Sequence, residues 1–258
     1  MKILMVGDIV GAPGRAAFAR AVAELQSTGA CDFVVANAEN AAGGKGLTAS
    51  LAKELLAAGA NVLTTGDHAW DLKEALNAVG SQPAVLRPAN YAPACPGKGF
   101  VTVETAAGPV TVMNLLGRVF MQPADCPFRA ADAVLALGNE LGRIILVDFH
   151  AEATAEKTAM GFYLDGRVTA VVGTHTHVQT SDERLLPKGT AYITDLGMTG
   201  PLDSVIGCSA ESVMPHFLTG MKSRFEVKDK PAVATMEGVL IDIDAATGRA
   251  TGIARVRM

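Results

Sequence analysis

Short apolar runs alternate with longer amphipathic stretches in the first half of the chain. A short apolar run predicts a buried strand, and apolar residues that recur at helical spacing predict a helix. In chain order we predict a strand over 2–7, a helix over 14–27, a strand over 32–37, a helix over 48–58, a strand over 61–65 and a short helix over 70–78. This alternation favours an α/β fold with a parallel sheet and crossover helices.

The second half of the chain is less regular. Residues 80–100 are rich in proline and glycine, residues 100–105 and 109–115 read as a hairpin, and residues 116–128 read as a long loop. Further on we predict a helix near 129–140, a strand over 143–149, a helix over 153–160, a strand over 168–173 and a closing hairpin from Gly238 to Val256. Parallel units combined with hairpins favour a mixed sheet, or two sheets packed together between helices.

Length and composition set limits on the kind of protein. The 258 residues suit one large α/β domain or two small ones, and 49% of them are hydrophobic, which is enough for a substantial core. The formal net charge of -4 is not typical of a protein that coats nucleic acid, so we expect no stable nucleic-acid binding. The acidity does not exclude a small phosphate substrate, because bound cations can invert the local field.

Cysteine spacing and hydropathy indicate the compartment. The four cysteines show no CxxC spacing, so we expect reduced thiols in a cytoplasmic protein. Asp8 interrupts the first apolar run, which argues against a signal peptide. No apolar run approaches the roughly 20 residues that a transmembrane helix requires, so we expect no membrane association.

Metal-binding side chains follow the apolar runs at five places. They are Asp8, the pair Glu39 and Asn40, the pair Asp67 and His68, His150, and the pair His175 and His177. In an α/β sheet the carboxyl ends of the strands converge on one edge, where ligands bind. Imidazoles and carboxylates gathered at that edge indicate a metal site, with more than one ion.

Each of these residues also has a purely structural interpretation. Asp8 is either a ligand or the N-cap of the next helix, and Glu39 and Asn40 are either ligands or a turn that leads into the glycine loop 43–46. That loop is either a tight turn or a phosphate-approaching segment, and it does not match the Walker pattern. Lys45, Arg118 and Arg129 either meet a phosphate or base, or are solvated surface charges.

The histidines differ in how strongly they indicate a site. His175 and His177 are two residues apart, so in an extended segment both imidazoles face the same side. Asp67 and His68 are adjacent and point in different directions, so one is expected to be a ligand and the other a proton donor. His68 can alternatively be an N-cap or core histidine, and His216 is interpreted as structural or surface-exposed.

Taken together, these segments resemble the calcineurin-type metallophosphoesterase superfamily, and within it the YmdB-like branch. The matching stretches are Gly7 to Gly11, Asn37 to Gly44, Asp148 to Glu152, Gly173 to Thr180 and Thr194 to Pro201. The resemblance covers nearly the whole chain and implies a single domain over 1–258. It also implies an α/β fold in which a β-sandwich is flanked by α-helices, with four layers in the order α/β/β/α.

The chain departs from the superfamily motifs at three positions. The D-x-H motif reads Asp8-Ile9-Val10 and lacks its histidine, and the GD motif becomes Ala38-Glu39-Asn40, two changes characteristic of the branch. The third departure is within the branch: the GNH motif reads Gly66-Asp67-His68. Aspartate keeps an oxygen ligand and adds a negative charge, which would tighten metal binding and weaken the attraction for an anionic phosphate.

The resemblance implies two ligand sets and a role for each site residue. One ion would be held by Asp8, Glu39, Asn40 and His177, and the other by Glu39, Asp67, His150 and His175, with Glu39 shared. The metals would be iron, with manganese as the alternative. The ions would activate a water, and His68 would protonate the leaving alkoxide. The implied activity is hydrolysis of small phosphodiesters, in particular 2′,3′-cyclic nucleotides.

Several alternatives stay open at the level of sequence. The same metal site would serve a phosphomonoesterase or nucleotidase. A regulatory protein whose main output is binding a partner, and a metal-responsive protein without turnover, are the alternatives outside catalysis. Enzymes of this kind often self-associate, so a homo-oligomer is a further expectation.

Overall fold

The computed structural model describes residues 1–258 and contains fourteen strands and six α-helices. The strands are β1 (Lys2–Val6), β2 (Asp8–Ile9), β3 (Phe33–Asn37), β4 (Val62–Thr64), β5 (Phe100–Val103), β6 (Val110–Leu116), β7 (Ile144–His150), β8 (Ala170–Thr174), β9 (Arg184–Leu185), β10 (Ala191–Ile193), β11 (Met198–Pro201), β12 (Ala234–Thr235), β13 (Glu237–Asp244) and β14 (Arg249–Arg257). The helices are α1 (Gly11–Ser27), α2 (Ala49–Ala57), α3 (Ala75–Ser81), α4 (Pro127–Leu135), α5 (Thr154–Leu164) and α6 (Ala210–Thr219).

Two mixed sheets form the centre of the molecule. The first has the strand order β14-β13-β1-β3-β4, and the second has the order β5-β6-β7-β8-β10-β9. Strands β1, β3 and β4 run parallel, as do β6, β7, β8 and β10, and the hairpin strands at the edges run antiparallel. A small third sheet has the order β12-β11-β2.

Three apolar clusters define four layers. Inward side chains of both sheets, such as Met5, Val35, Leu146 and Val172, pack together in the central cluster. The outer face of the first sheet packs against α1, α2 and α3, and the outer face of the second sheet packs against α4 and α5. Strands that are buried on both faces carry continuous apolar runs, and this is why β1, β3, β7 and β8 stand out in the sequence. The predicted α/β/β/α arrangement is confirmed.

Local signals explain several helix boundaries. The Thr48 and Ser209 hydroxyls cap α2 and α6 by accepting backbone N–H bonds. Pro127 begins α4 because the first helical position needs no N–H donor. Gly220 ends α6 in the left-handed conformation.

Some predicted elements were wrong in extent. The strand predicted over 2–7 is broken at Gly7, where a β-carbon would lie 2.2 Å from the Gly197 carbonyl oxygen. The chain there leaves the first sheet, and β2 pairs with β11 instead.

The helix predicted over 70–78 is α3 at Ala75–Ser81, because the preceding residues form turns around the site. The helix predicted near 129–140 is α4 followed by a 3₁₀ turn at Gly138–Glu140. Strands β9 to β12 were not predicted, because they have two to four residues each.

No helix in the structure is both long enough and apolar enough to span a membrane.

Candidate metal centre

All the predicted site residues meet at one end of the two sheets. The loops after β1, β3 and β4 supply side chains from the first sheet, and the ends of β7 and β8 supply them from the second. The contributed residues are Asp8, Glu39, Asn40, Asp67, His68, His150, His175 and His177. Because the strands in each group run parallel, their carboxyl ends place these residues within contact of one another.

Four of these side chains form a tight cluster. One ligand atom from each of Glu39, Asp67, His150 and His175 lies within 4.8 Å of every other. Nε2 of His150 is 3.1 Å from a Glu39 oxygen, 3.0 Å from Asp67 Oδ1 and 3.0 Å from Nδ1 of His175. This mixed set of carboxylate and imidazole donors suits iron, manganese or zinc and contains no thiolate.

A second group lies directly beside the first. Nε2 of His177 is 3.7 Å from Asp8 Oδ1 and 3.2 Å from the side-chain nitrogen of Asn40. The Asp8 carboxylate links the groups, because its Oδ2 accepts the His175 backbone N–H at 3.1 Å and its Oδ1 lies 4.0 Å from Nδ1 of His150. Asp8 is therefore part of the site, and it is not the N-cap of α1, whose cap position is Val10.

The imidazoles of His150 and His175 in the cluster and of His177 beside it each have their other ring nitrogen engaged. Nδ1 of His150 donates to the Thr174 hydroxyl at 2.9 Å, because that hydroxyl itself donates to Asp148 at 2.7 Å. Nε2 of His175 lies 3.1 Å from Glu152, and Nδ1 of His177 donates to the carbonyl of Ile206 at 2.9 Å. These partners fix the tautomers, so that the nitrogen facing the cluster is the one without a hydrogen.

The cluster has the electrostatic features of a cation site. His150 and His175 face each other with ring nitrogens 3.0 Å apart, and their outer nitrogens are already donors. Two facing lone pairs repel each other unless a proton or a cation lies between them. The neighbouring carboxylates Glu39, Asp67 and Asp8 outweigh the effect of burial and raise the pKa of His150 well above its usual value. A metal would take the place of that proton, so its affinity should fall as the pH falls.

Glu39 has a buried oxygen without a hydrogen bond. Its Oε1 accepts none, although nitrogens of His150 and His68 lie 3.1 and 3.3 Å away, because neither is aligned with it. Burial opposes ionisation of this carboxyl, but attraction to His150 and the close approach of the His150 and His68 nitrogens lower its pKa to about 2. An ionised, buried oxygen without a donor is costly unless a cation satisfies it. The residues present therefore fit bound metal.

The Asn40 amide is turned with its nitrogen toward Asp8 and His177. Its oxygen accepts a hydrogen bond from Nδ1 of His68 at 2.8 Å. Rotating the amide by half a turn exchanges the oxygen and nitrogen without moving the backbone. Binding of a cation by the Asn40 oxygen would require that rotation.

His68 lies next to the cluster but outside the four-residue group. Its Nδ1 is 2.8 Å from Asn40, and its Nε2 is 3.8 Å from Asp67 and 4.0 Å from Asp71. Burial would lower the pKa of this imidazole, but the close approach of the Glu39 carboxylate and the charges of Glu39, Asp67 and Asp71 raise it. His68 is neither a helix cap nor a core residue, since α3 begins at Ala75 and part of the ring is exposed.

The backbone is constrained at the centre. His175 and His177 have φ angles of 103° and 62°, a region that residues with a β-carbon rarely adopt. Strain of this kind persists where the surroundings impose it, as at ligand sites. At Gly66 a β-carbon would lie 2.1 Å from Cδ2 of His150, so only glycine lets that ring approach the Asp67 loop.

A buried ion pair holds the loop that carries His175 and His177. Asp195 accepts hydrogen bonds from Lys157 Nζ at 2.6 Å, and from the Thr176 backbone and hydroxyl at 3.1 and 2.7 Å. Its other oxygen accepts the Gly197 N–H at 2.8 Å. Thr176 lies between the two histidines, so this pair positions both.

Removing the cation of that pair should destabilise the fold. Lys157→Met leaves the Asp195 carboxylate buried without its cationic partner, and the expected loss is about 3–5 kcal/mol of unfolding free energy. Urea unfolding measures it. Lys53→Met makes the same chemical change at an exposed position of α2 and should stay within about 0.5 kcal/mol of the unsubstituted protein. Equal effects of the two substitutions would contradict a supporting role for the pair.

A cavity of about 650 Å³ opens beside the cluster. Asn40, His68 and His177 form its inner end, and Lys45, Lys222 and Arg224 supply positive charge further out. The glycine loop 43–46 is a tight turn, with positive φ at all three of its glycines, and its residues 43–45 also form one wall of this cavity. Arg118 and Arg129 do not line it.

Sequence reasoning missed two residues that bear on the site. Glu152 contacts His175, and its position two residues after His150 was the available signal. Ile206 holds His177 from a loop that carries no local signal. His216, interpreted from the sequence as structural or surface-exposed, donates through Nδ1 to the Met221 carbonyl at 2.9 Å, and its ring also lines the cavity.

The four-layer fold with its carboxylate and imidazole cluster defines the class of protein. The architecture is the calcineurin-like metallophosphoesterase fold, also found in an NAD nucleotidase of Haemophilus influenzae. That structure aligns with a TM-score of 0.58 and 12% identity over 100% of this chain and 55% of its own. At this identity the likeness concerns the fold alone.

The chain belongs to the YmdB-like family, whose model, described as YmdB-like protein, matches residues 4–256. A Bacillus subtilis (strain 168) relative named 2′,3′-cyclic-nucleotide 2′-phosphodiesterase is 46% identical over 99% of this chain and 96% of its own length. The crystal structure of a Mycoplasma pneumoniae protein described as a novel phosphatase aligns with a TM-score of 0.93 and 35% identity, over 100% of this chain and 93% of that one. The family resemblance found in the sequence is confirmed.

Proposed function

We propose that this protein is a dinuclear-metal phosphodiesterase that hydrolyses 2′,3′-cyclic nucleotides. The observation that carries the proposal is the buried cluster of Glu39, Asp67, His150 and His175, with an unsatisfied Glu39 oxygen at its centre. The Bacillus subtilis relative supports the substrate class, since it is similar over nearly its whole length.

In this proposal the seven ligand residues divide as the family resemblance implies. Asp8, Glu39, Asn40 and His177 would hold one ion, and Glu39, Asp67, His150 and His175 would hold the other. The ions are proposed to be iron, with manganese as the alternative, and when bound they supply Lewis-acid charge and an activated water. The proposal places the protein in the cytoplasm, where its four free cysteines would stay reduced.

The protein's own groups prepare the site for this chemistry. Thr174, Glu152 and the Ile206 carbonyl hold the three imidazoles in one orientation. The cations at Lys45, Lys222 and Arg224 draw an anionic ester toward the inner end of the cavity. His68 lines that end with part of its ring exposed, and its imidazole is proposed to supply a proton to the leaving oxygen.

The charge of Asp71 should raise the pKa of His68. Bound cations would offset the charges of Glu39 and Asp67, whereas Asp71 belongs to neither proposed ligand set. Its carboxylate, 4.0 Å from Nε2, favours the imidazolium and contributes to the raised pKa of His68. Activity that requires protonated His68 falls as the pH rises through that pKa. Asp71→Asn should lower the pKa, so that kcat/KM for 2′,3′-cyclic AMP begins to fall at a lower pH. An unchanged basic limb in the pH–rate profile would exclude this coupling.

Metal content and turnover together test the proposed function. The protein is purified without chelator or His-tag, analysed for metals, and assayed with 2′,3′-cyclic AMP and bis-p-nitrophenyl phosphate. About two iron or manganese ions per chain with diester turnover is the expected result. Faster turnover of p-nitrophenyl phosphate than of the diester would favour a phosphomonoesterase. Absence of metal after reconstitution would overturn the site assignment.

A further inference from the structure

The outer part of the cavity is formed by two segments far apart in the sequence. One wall is the glycine loop 43–46, and the facing wall is residues 221–228, here called the strap. The walls are in contact, since a β-carbon at Gly44 would lie 2.7 Å from Cγ2 of Val227, and φ at Gly44 is 96°. The strap therefore lies directly across from the loop that follows Glu39 and Asn40.

Phe225 is held between two anchored positions of the strap. The Ser223 hydroxyl donates to the Ser212 carbonyl at 3.0 Å, and the Glu226 backbone N–H donates to the Ser212 hydroxyl at 3.1 Å. The His216 ring meets Phe225 edge-on, with centroids 5.7 Å apart and planes at 71°. Phe225 still exposes 46% of its surface although it lines the cavity. The Phe225 ring is therefore held in position by its neighbours and presents an exposed surface to the pocket.

Three cations of the cavity have no partner in the protein. Lys45, Lys222 and Arg224 form no ion pair, in a chain with a net charge of -4. Phe225 follows Arg224 and precedes the anchored Glu226 in the sequence of the strap. Unpaired cations together with an exposed aromatic ring are the combination that binds a nucleotide, with charge for the phosphate and a surface for the base.

Ile206 links this pocket to the metal-binding end. Its carbonyl accepts the Nδ1–H of His177 at 2.9 Å, and the residue also lines the cavity. Its φ of 46° is unusual for a β-branched residue, and its side chain is 54% exposed. The strained backbone therefore places one residue in contact with both the ligand histidine and the outer pocket.

We propose that Phe225 is a base-stacking platform that makes the enzyme select nucleoside 2′,3′-cyclic phosphates over cyclic phosphodiesters without a base. The cyclic phosphate lies at the His68 and His177 end, the cations of the outer cavity attract it electrostatically into the pocket, and the nucleobase stacks on Phe225. The cavity of about 650 Å³ lies within the ~300–1,000 Å³ range of small-ligand pockets. The position of the cyclic phosphate in this inference rests on the proposed function. The position of the base rests on the pocket alone.

The test compares a nucleotide with a base-free ester that has the same reacting ring. The kcat/KM of the metal-loaded protein is measured for 2′,3′-cyclic AMP and for glycerol 1,2-cyclic phosphate. Loss of one base-stacking contact costs about tenfold, so Phe225→Ala should reduce the ratio of the two values by about that factor. The reduction should appear in KM for the nucleotide, and Phe225→Tyr should restore the ratio. Phe162→Ala, at a phenylalanine 53% exposed on α5, is the matched control and should leave the ratio as it is.

A binding measurement separates this inference from the proposed function. Calorimetry with adenosine requires no turnover, and Phe225→Ala should weaken binding about tenfold while Phe162→Ala does not. If neither ester is hydrolysed but this pattern of adenosine binding is found, the proposed function fails and the platform stands. If the esters are hydrolysed but Phe225→Ala changes kcat/KM equally for both esters, or for neither, the base-stacking platform is overturned and the proposed function stands.

Discussion

Glu39→Gln is expected to remove bound metal and diester hydrolysis together. Glu39 belongs to both proposed ligand sets, and its Oε1 has no other hydrogen-bond partner. Glutamine keeps the shape but loses the charge that balances two cations. Substitution of groups that merely support metal ligands typically costs about 10–100-fold, so loss of the shared ligand should cost more than about 100-fold in kcat/KM. Elemental analysis and turnover of 2′,3′-cyclic AMP measure the two losses on one sample.

The control for this substitution is a glutamate of the same chain outside the site. Glu24→Gln makes the same chemical change at an exposed position of α1 and should leave metal content and turnover as they are. Full metal content in Glu39→Gln would exclude Glu39 as the shared ligand. Loss of turnover with the cellular role retained would instead favour the regulatory alternative, in which partner binding is the main output.

His68→Ala is expected to reduce kcat on 2′,3′-cyclic AMP by about 10²–10⁴-fold with the metal content unchanged. The imidazole lines the cavity and lies outside the four-residue cluster. Its removal therefore takes away a proton donor but leaves every proposed metal ligand in place. The departing ribose oxygen is a poor leaving group and needs a proton, whereas p-nitrophenolate barely requires one. The loss should therefore be much smaller on bis-p-nitrophenyl phosphate.

The comparison of the two esters distinguishes acid catalysis from disruption of the site. Equal losses on both substrates would indicate that His68 orders Asn40 or Glu39, which it contacts at 2.8 and 3.3 Å. Full activity of His68→Ala on the cyclic nucleotide would exclude the role of general acid.

The sequence predicted most of the buried strands and nearly all of the residues that the structure brings together at the candidate metal centre. Strands such as β3 and β7 are buried along their whole length, so their apolar runs are visible locally. The His175-x-His177 spacing and the polar pairs after the strands identified the residues that the structure brings into contact. Strands β9 to β12 were missed because two to four residues carry no measurable periodicity.

The amino-acid sequence by itself determined the layered α/β class and the chemical identity of the donor set, because both depend on patterns within a few neighbouring residues. Only the tertiary structure decided how the donors are held and what lies beside them. Ile206 meets His177 across 29 residues, Asp195 meets Lys157 across 38, and Asp8 meets His175 across 167. Contacts over such separations depend on how the sheets and loops pack, and no local pattern of apolar and polar residues encodes them. For the same reason the strap and Phe225 became visible as a wall of the pocket only in the folded chain.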